Sequence, residues 1–99
     1  MNKDKLLNAL GLVSAANKLI YGIKLFEKIK ENKISLVIIA SDIGISQHKK
    51  IKNKCNFYNV PYYDNLINGI ELSKSIGKTN IKIIGIQDQN FIKLILKNI

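Results

Sequence analysis

The chain has no arginine, one cysteine, one histidine and one proline, and each shortage closes off a class of explanation. With Cys55 alone no internal disulfide can form, and Cys55 with His48 cannot assemble a zinc site, so no metal is expected. No stretch approaches the roughly 18 apolar residues of a membrane span. Glycines are few and scattered: Gly22, Gly44, Gly69, Gly77 and Gly85 complete neither GxGxxG nor a phosphate-cradling loop. Ser41, Asp42 and His48 could be drawn as a triad, yet a strand-end Asp and a helix-surface His more often serve as a cap and a solvated side chain. Cys55 falls on the apolar face of a helix, the usual place of an inert thiol. The residues thus offer no catalytic constellation and no cofactor site, and a non-enzymatic role is expected.

What the chain has in quantity is lysine. Sixteen basic residues, all lysine, face seven acidic ones, a formal net charge of +9. An A/T-rich genome explains lysine in place of arginine, but it does not explain the scarcity of acids. The excess favours a polyanionic partner, nucleic acid or an anionic membrane. Lys3 and Lys5 precede an apolar run, Leu6 to Val13, and Val13-Ser14-Ala15 imitates a leader cleavage site; Asp4 and Asn8 break that pattern, and the run is short. A reducing cytoplasm is the expected location.

At 99 residues the chain is expected to form one domain, spanning 1–99, that buries roughly 60 to 65% of its unfolded surface. Leu6, Leu7, Leu10 and Val13 recur at helical spacing, with Asn17 next in the stripe, so residues 3 to 16 read as an amphipathic helix, followed by an extended piece from Lys18 to Tyr21. Gly22 opens a second helix with Ile23, Phe26 and Ile29 as its inward stripe, Lys24, Lys28 and Glu31 opposite, and Asn32-Lys33 as its end. Residues 35 to 40 (SLVIIA) are apolar after Ser35 and rich in β-branching, the mark of a strand covered on both faces. Ser46 is the expected N-cap of a helix from Gln47 to Asn59, with Ile51, Cys55 and Tyr58 inward and His48, Lys49, Lys52 and Asn56 outward. Pro61 stops that helix and admits a strand at Tyr62-Tyr63. Asn68 and Glu71 resemble a capping box for a helix closed by Gly77, residues 81 to 86 read as a second buried strand, and Asp88 can cap a last helix from Gln89 to Lys97. The alternation predicts an α/β fold, a three-layer α/β/α sandwich with right-handed crossovers.

Several short motifs occur in a fixed order along this frame: a glycine opening a lysine-bearing helix (Gly22 to Lys28), Ala-x-Asp after a strand (Ala40 to Asp42), Cys-x-x-Tyr-Asn-Val-Pro (Cys55 to Pro61), Glu-Leu through Ile-Gly-Lys (Glu71 to Lys78), and a strand followed by Asp88. Together they resemble the ribosomal L-seven-Ae / L-thirty-e family of kink-turn RNA-binding proteins, and the opening Leu10-Gly11-Leu12 is similar to its small bacterial YlxQ-like branch. The resemblance implies a mixed four-stranded sheet and an RNA partner. In that family a Gly-x-Asn-Glu-x-x-Lys pattern at the start of the second helix reads sheared G·A pairs, and the loop before the last strand holds a flipped-out nucleotide. The matching positions are Gly22, Ile23, Lys24, Leu25 and Lys28, with Lys78, Thr79 and Asn80 in the loop. Gly22 and Lys28 fit the pattern. Lys24 and Leu25 replace its Asn-Glu pair, so replacing both with Asn and Glu is expected to sharpen kink-turn preference.

The residues support the same surface independently. Gly22 lets backbone N–H groups at a helix start approach a phosphate, and Lys24 and Lys28 lie one turn apart on that helix. Lys49, Lys50, Lys52 and Lys54 form a broad positive belt, expected to steer an anion and not to read it. Tyr62 and Tyr63 alternate on a strand, which buries one and exposes the other. RNA, with ribosomal or translation-associated proteins around it, is the expected partner. Two alternatives stay open: a protein-interaction adaptor of the same fold that takes an acidic partner, and a stand-alone RNA-recognition module that serves a modifying enzyme.

Overall fold

A computed structural model describes all 99 residues. Its elements run α1 (Lys3–Ala15), β1 (Leu19–Ile20), α2 (Ile23–Lys30), β2 (Leu36–Ile39), α3 (Ile45–Phe57), β3 (Tyr62–Tyr63), α4 (Gly69–Ser75), β4 (Ile83–Ile86) and α5 (Gln89–Lys97). The four strands form one mixed sheet in the order β1-β4-β2-β3. β4 runs antiparallel to β1 and β2, while β2 and β3 are parallel and joined through α3.

Period-two alternation divides the apolar residues between two cores. Leu36 and Ile38 of β2 with Ile84 and Ile86 of β4 point to one face, where α1, α4 and α5 cover them. Val37 and Ile39 point to the other, against Leu25 and Ile29 of α2 and Ile51 and Cys55 of α3. The sandwich is therefore three helices, the sheet and two helices. Gly85 lies between the layers on the two-helix side: a Cβ there would run into Leu25 Cδ1, so any side chain at this position would force Leu25 to shift.

Helix ends explain much of the asparagine. After α1, α2 and α3 the chain turns through Asn17, Asn32 and Asn59, all at positive φ, and after α4 through Gly77. Each end carries the paired 6→1 and 5→2 bonds of a Schellman motif, for example Lys78 N–H to Ser73 O at 2.9 Å and Gly77 N–H to Lys74 O at 3.2 Å. Asparagine tolerates this conformation better than other non-glycine residues. Asn17 thus ends α1 and does not continue its stripe.

Four expectations are corrected. Tyr62 and Tyr63 are both half-buried, one packed against each core, and not one buried and one exposed. The inward stripe of α2 is Leu25 and Ile29 with half-buried Phe26, whereas Ile23 is 81% exposed, because the helix enters the layer one residue out of the assumed phase. Ser46 is not a cap: α3 starts two residues earlier than expected, at Ile45, with Gly44 as the N-cap residue. His48 is half-buried and bonded to Asp64 at 2.9 Å, which removes it both from the free outer face and from any pairing with Asp42.

Candidate nucleic-acid interface

α2 and α3 differ from the other helices at their N-termini. Asn2, Asn68 and Asp88 accept backbone N–H bonds at the starts of α1, α4 and α5, and Asn68 with Glu71 completes the expected capping box. Gly22 and Gly44, which precede α2 and α3, carry no side chain to do so. The N–H groups of Ile23 and Lys24 in α2 and of Ile45 to Gln47 in α3, with the positive ends of the two helix dipoles, are left for solvent or an anion, whereas the Leu25 N–H is taken by Gly22 O at 3.1 Å. Gly22 has φ 71° and ψ −151°, a conformation essentially confined to glycine.

The loop before β4 is fastened at both ends. On one side stands the Schellman turn at Gly77; on the other, buried Ser73 donates its hydroxyl to Ile81 O at 3.0 Å and accepts from Ile81 N–H at 2.9 Å. Between them Lys78, Thr79 and Asn80 are exposed, with Asn80 at positive φ. Asp42, on the β2–α3 turn, accepts from Gly69 N–H at 2.7 Å and from Lys82 Nζ at 3.3 Å. The Gly69 bond, helped by Lys82 and opposed by partial desolvation, holds its carboxyl below the ordinary value. In α4 the Asn68 amide, joined by Lys3, lowers the Glu71 carboxyl in the same way.

Gly22 and the β4 loop are neighbours. A recess of about 290 Å³ is lined by Tyr21, Gly22, Leu25 and Phe26 from the α2 side, Gln47 and Lys50 from α3, and Asn80 through Ile83. Asn80 also belongs to a second hollow of about 400 Å³ with Lys78, Thr79, Ser73, Lys74 and Lys82. Lys24 and Lys28 stand on the other flank of α2, in a hollow with Asn17, Lys18, Gln87 and Asp88. Of the eight residues expected from sequence, Gly22, Leu25 and Asn80 line the central recess, Lys78 and Thr79 join Asn80 in the second hollow, Lys24 and Lys28 line the third, and exposed Ile23 lines none of the three.

Leu25 is the correction within that set. Only 1% of it is exposed and it packs over Gly85, so its side chain cannot reach a base edge. Its place at the recess floor is apolar. Sequence reasoning missed Gln47, Lys50 and Lys82 as recess residues, and Ser73 as the loop's anchor. The lysine belt on α3 was the available signal for Lys50. It also missed Ile45, exposed one residue beyond Gly44 as Ile23 is one residue beyond Gly22.

The fold and recess define a small three-layer α/β/α domain with a lysine-rich concave edge built at two uncapped helix starts. A profile of the Ribosomal protein L7Ae/L30e/S12e/Gadd45 family matches residues 4–95, and the chain belongs to that family. It is 37% identical over 93 residues to the RNA-binding protein YlxQ of Enterococcus faecium, covering 93% of this chain and 88% of the relative. To the RNA-binding protein YlxQ of Bacillus subtilis it is 34% identical over 83 residues, 83% of this chain and 82% of that one. Among solved structures, a Bacillus halodurans protein of unknown function superposes with a TM-score of 0.83 at 35% identity, over 91% of this chain and 92% of the other. The Giardia lamblia 15.5 kD RNA binding protein shares the fold at TM-score 0.74 and 19% identity, over 95% and 84%.

Proposed function

We propose that this protein binds structured RNA in the cytoplasm, on ribosomes or on other folded RNA, and has no chemistry of its own. The observation that carries the reading is the recess in which Gly22, the start of α3 and Asn80 meet, flanked by lysines on both sides. Two helix starts without side-chain caps offer N–H donors to phosphate oxygens, and the apolar floor made by Leu25 and Phe26 suits an unstacked base. Family membership and the printed names of the two YlxQ relatives support RNA as the ligand. The sites proposed for contact are Gly22, Ile23, Lys24, Lys28, Lys78, Thr79 and Asn80, with Leu25 acting only from beneath.

Selectivity for a kink-turn is weak in this reading. Lys24 offers donors only, where the family's Asn both donates and accepts, and Leu25 offers neither. Loss of one such base-directed contact removes about 1 to 3 kcal/mol of discrimination, while a lysine near phosphate adds attraction blind to sequence. Gel-shift titrations over a range of salt, with a kink-turn RNA, a mismatched control and bulk ribosomal RNA, test both parts. Binding to all three with a steep salt slope is expected; no binding to any of them near 100 mM salt contradicts the function.

A further inference from the structure

We propose, on top of the RNA-binding reading, that the face of α3 leading away from the recess is a track for an unpaired RNA strand, with Phe57 as its stacking platform. Lys50, Lys54 and Phe57 follow one another at four- and three-residue spacing, so they share one side of the helix. The stripe starts inside the recess, because Lys50 lines it, and ends about 10 Å further along the helix axis.

Three features distinguish this stripe from an ordinary solvated helix face. First, its charge is uncompensated: none of the four ion pairs in the molecule uses Lys30, Lys50 or Lys54. The Lys50 and Lys54 ammonium groups both lie over the Phe26 ring, 5.3 and 5.2 Å from its centroid, and they crowd each other there. Desolvation, then repulsion from Lys30 and Lys50, lowers the Lys54 pKa. An anion placed between α2 and α3 relieves that repulsion. Second, Phe57 is 77% exposed, and its only aromatic contact is edge-on with Tyr58 at 4.9 Å, which leaves ring surface for a base. Third, the stripe is continuous with the proposed RNA recess through Lys50 and Phe26. An exposed ring finds no partner in a duplex, whose bases are already stacked. A single strand supplies both phosphates for the lysines and a free base face for the ring.

The test uses the full chain, a blunt-ended internal-loop RNA, and the same RNA carrying an unpaired extension of about six nucleotides. The extension is expected to tighten binding by the wild type by at least about fivefold, the low end of one stacked base. Phe57→Ala, at a position that contributes little to the core, is expected to lose that gain and to keep its affinity for the blunt RNA. Lys50→Gln with Lys54→Gln is expected to lower the salt slope on the extended RNA by about 1.4, for two phosphates on a single strand. An extension that adds nothing, or a gain that survives Phe57→Ala, overturns the proposal. If the wild type ignores the blunt RNA but binds the free extension in a Phe57-dependent way, the recess reading fails and the track stands. If the lysine pair governs retention on polyglutamate and leaves RNA binding untouched, the face belongs to an acidic protein partner and the proposal falls.

Discussion

Leu25→Glu separates what the family pattern suggests from what the packing allows. By pattern the change restores an acceptor that reads guanine amino groups; in the fold it drives a carboxylate between α2 and β4, where Leu25 Cδ1 already fills the space over Gly85. Removing a buried leucine side chain costs about 1.5 to 3 kcal/mol of transfer free energy. A carboxyl in that place must be neutral, and lifting its pKa from about 4.3 to above 7 costs about 3 to 4 kcal/mol at neutral pH. The sum, about 5 kcal/mol or more, is comparable with the whole stability of a typical small domain. Urea denaturation followed by far-ultraviolet circular dichroism should find Leu25→Glu largely unfolded or strongly destabilised, whereas Lys24→Asn, at an exposed position, should stay within about 0.5 kcal/mol of the parent. A folded Leu25→Glu protein destabilised by less than about 1 kcal/mol, with sharper kink-turn preference, would refute the packing argument.

Ser73→Ala leaves both backbone groups of Ile81 without their partner, so a loss of about 1 to 3 kcal/mol is expected. RNA affinity should fall with it, because the loop that presents Asn80 loses one anchor; unchanged urea midpoint and affinity would remove Ser73 from that role. Both Asp42 and Glu71 have folded-state pKa values below their ordinary 3.8 and 4.5, so they add stability above those values and lose it as pH falls through the lower folded ones. Acid unfolding should accordingly begin below about pH 4.5, with a shallower limb in Asp42→Asn and Glu71→Gln; superimposable acid curves for parent and variants would contradict this. Burial pushes the Cys55 thiol up to about 11, so labelling by a disulfide reagent near pH 8 should be slow in native protein and fast in denaturant. Equal rates in both would show the α2–α3 side of the core to be open.

Much of the fold was legible because its strongest signals are local. Leu36 to Ala40 and the Asn68–Glu71 and Asp88 caps depend on neighbours within a few residues, and each element fell within one or two residues of its expected place. What escaped depends on contacts distant in sequence. The phase of α2 is set by Gly85, 60 positions after Leu25, so Ile23 and Leu25 exchanged roles. His48 is fixed by Asp64, and the β4 loop by Ser73, neither visible from helical periodicity. The candidate site was readable as two segments, Gly22 to Lys28 and Lys78 to Asn80, through the family's motif order. Its middle was not, because Gln47 and Lys50 join it only through the packing of α3 beside α2. The lysine helix, expected only to steer an anion, therefore borders the recess itself.

Backbone amide shifts of isotope-labelled protein, followed by nuclear magnetic resonance as folded RNA is added, test the central claim most directly. The account predicts the largest changes at Gly22, Ile23, Gln47, Lys50 and Asn80 to Ile83, with smaller ones at Lys24, Lys28, Lys78 and Thr79. Amides on the opposite helical layer, around Leu7, Leu12 and Lys97, should hardly move. Changes concentrated on that layer, with the Gly22–Asn80 recess silent, would contradict the proposed interface.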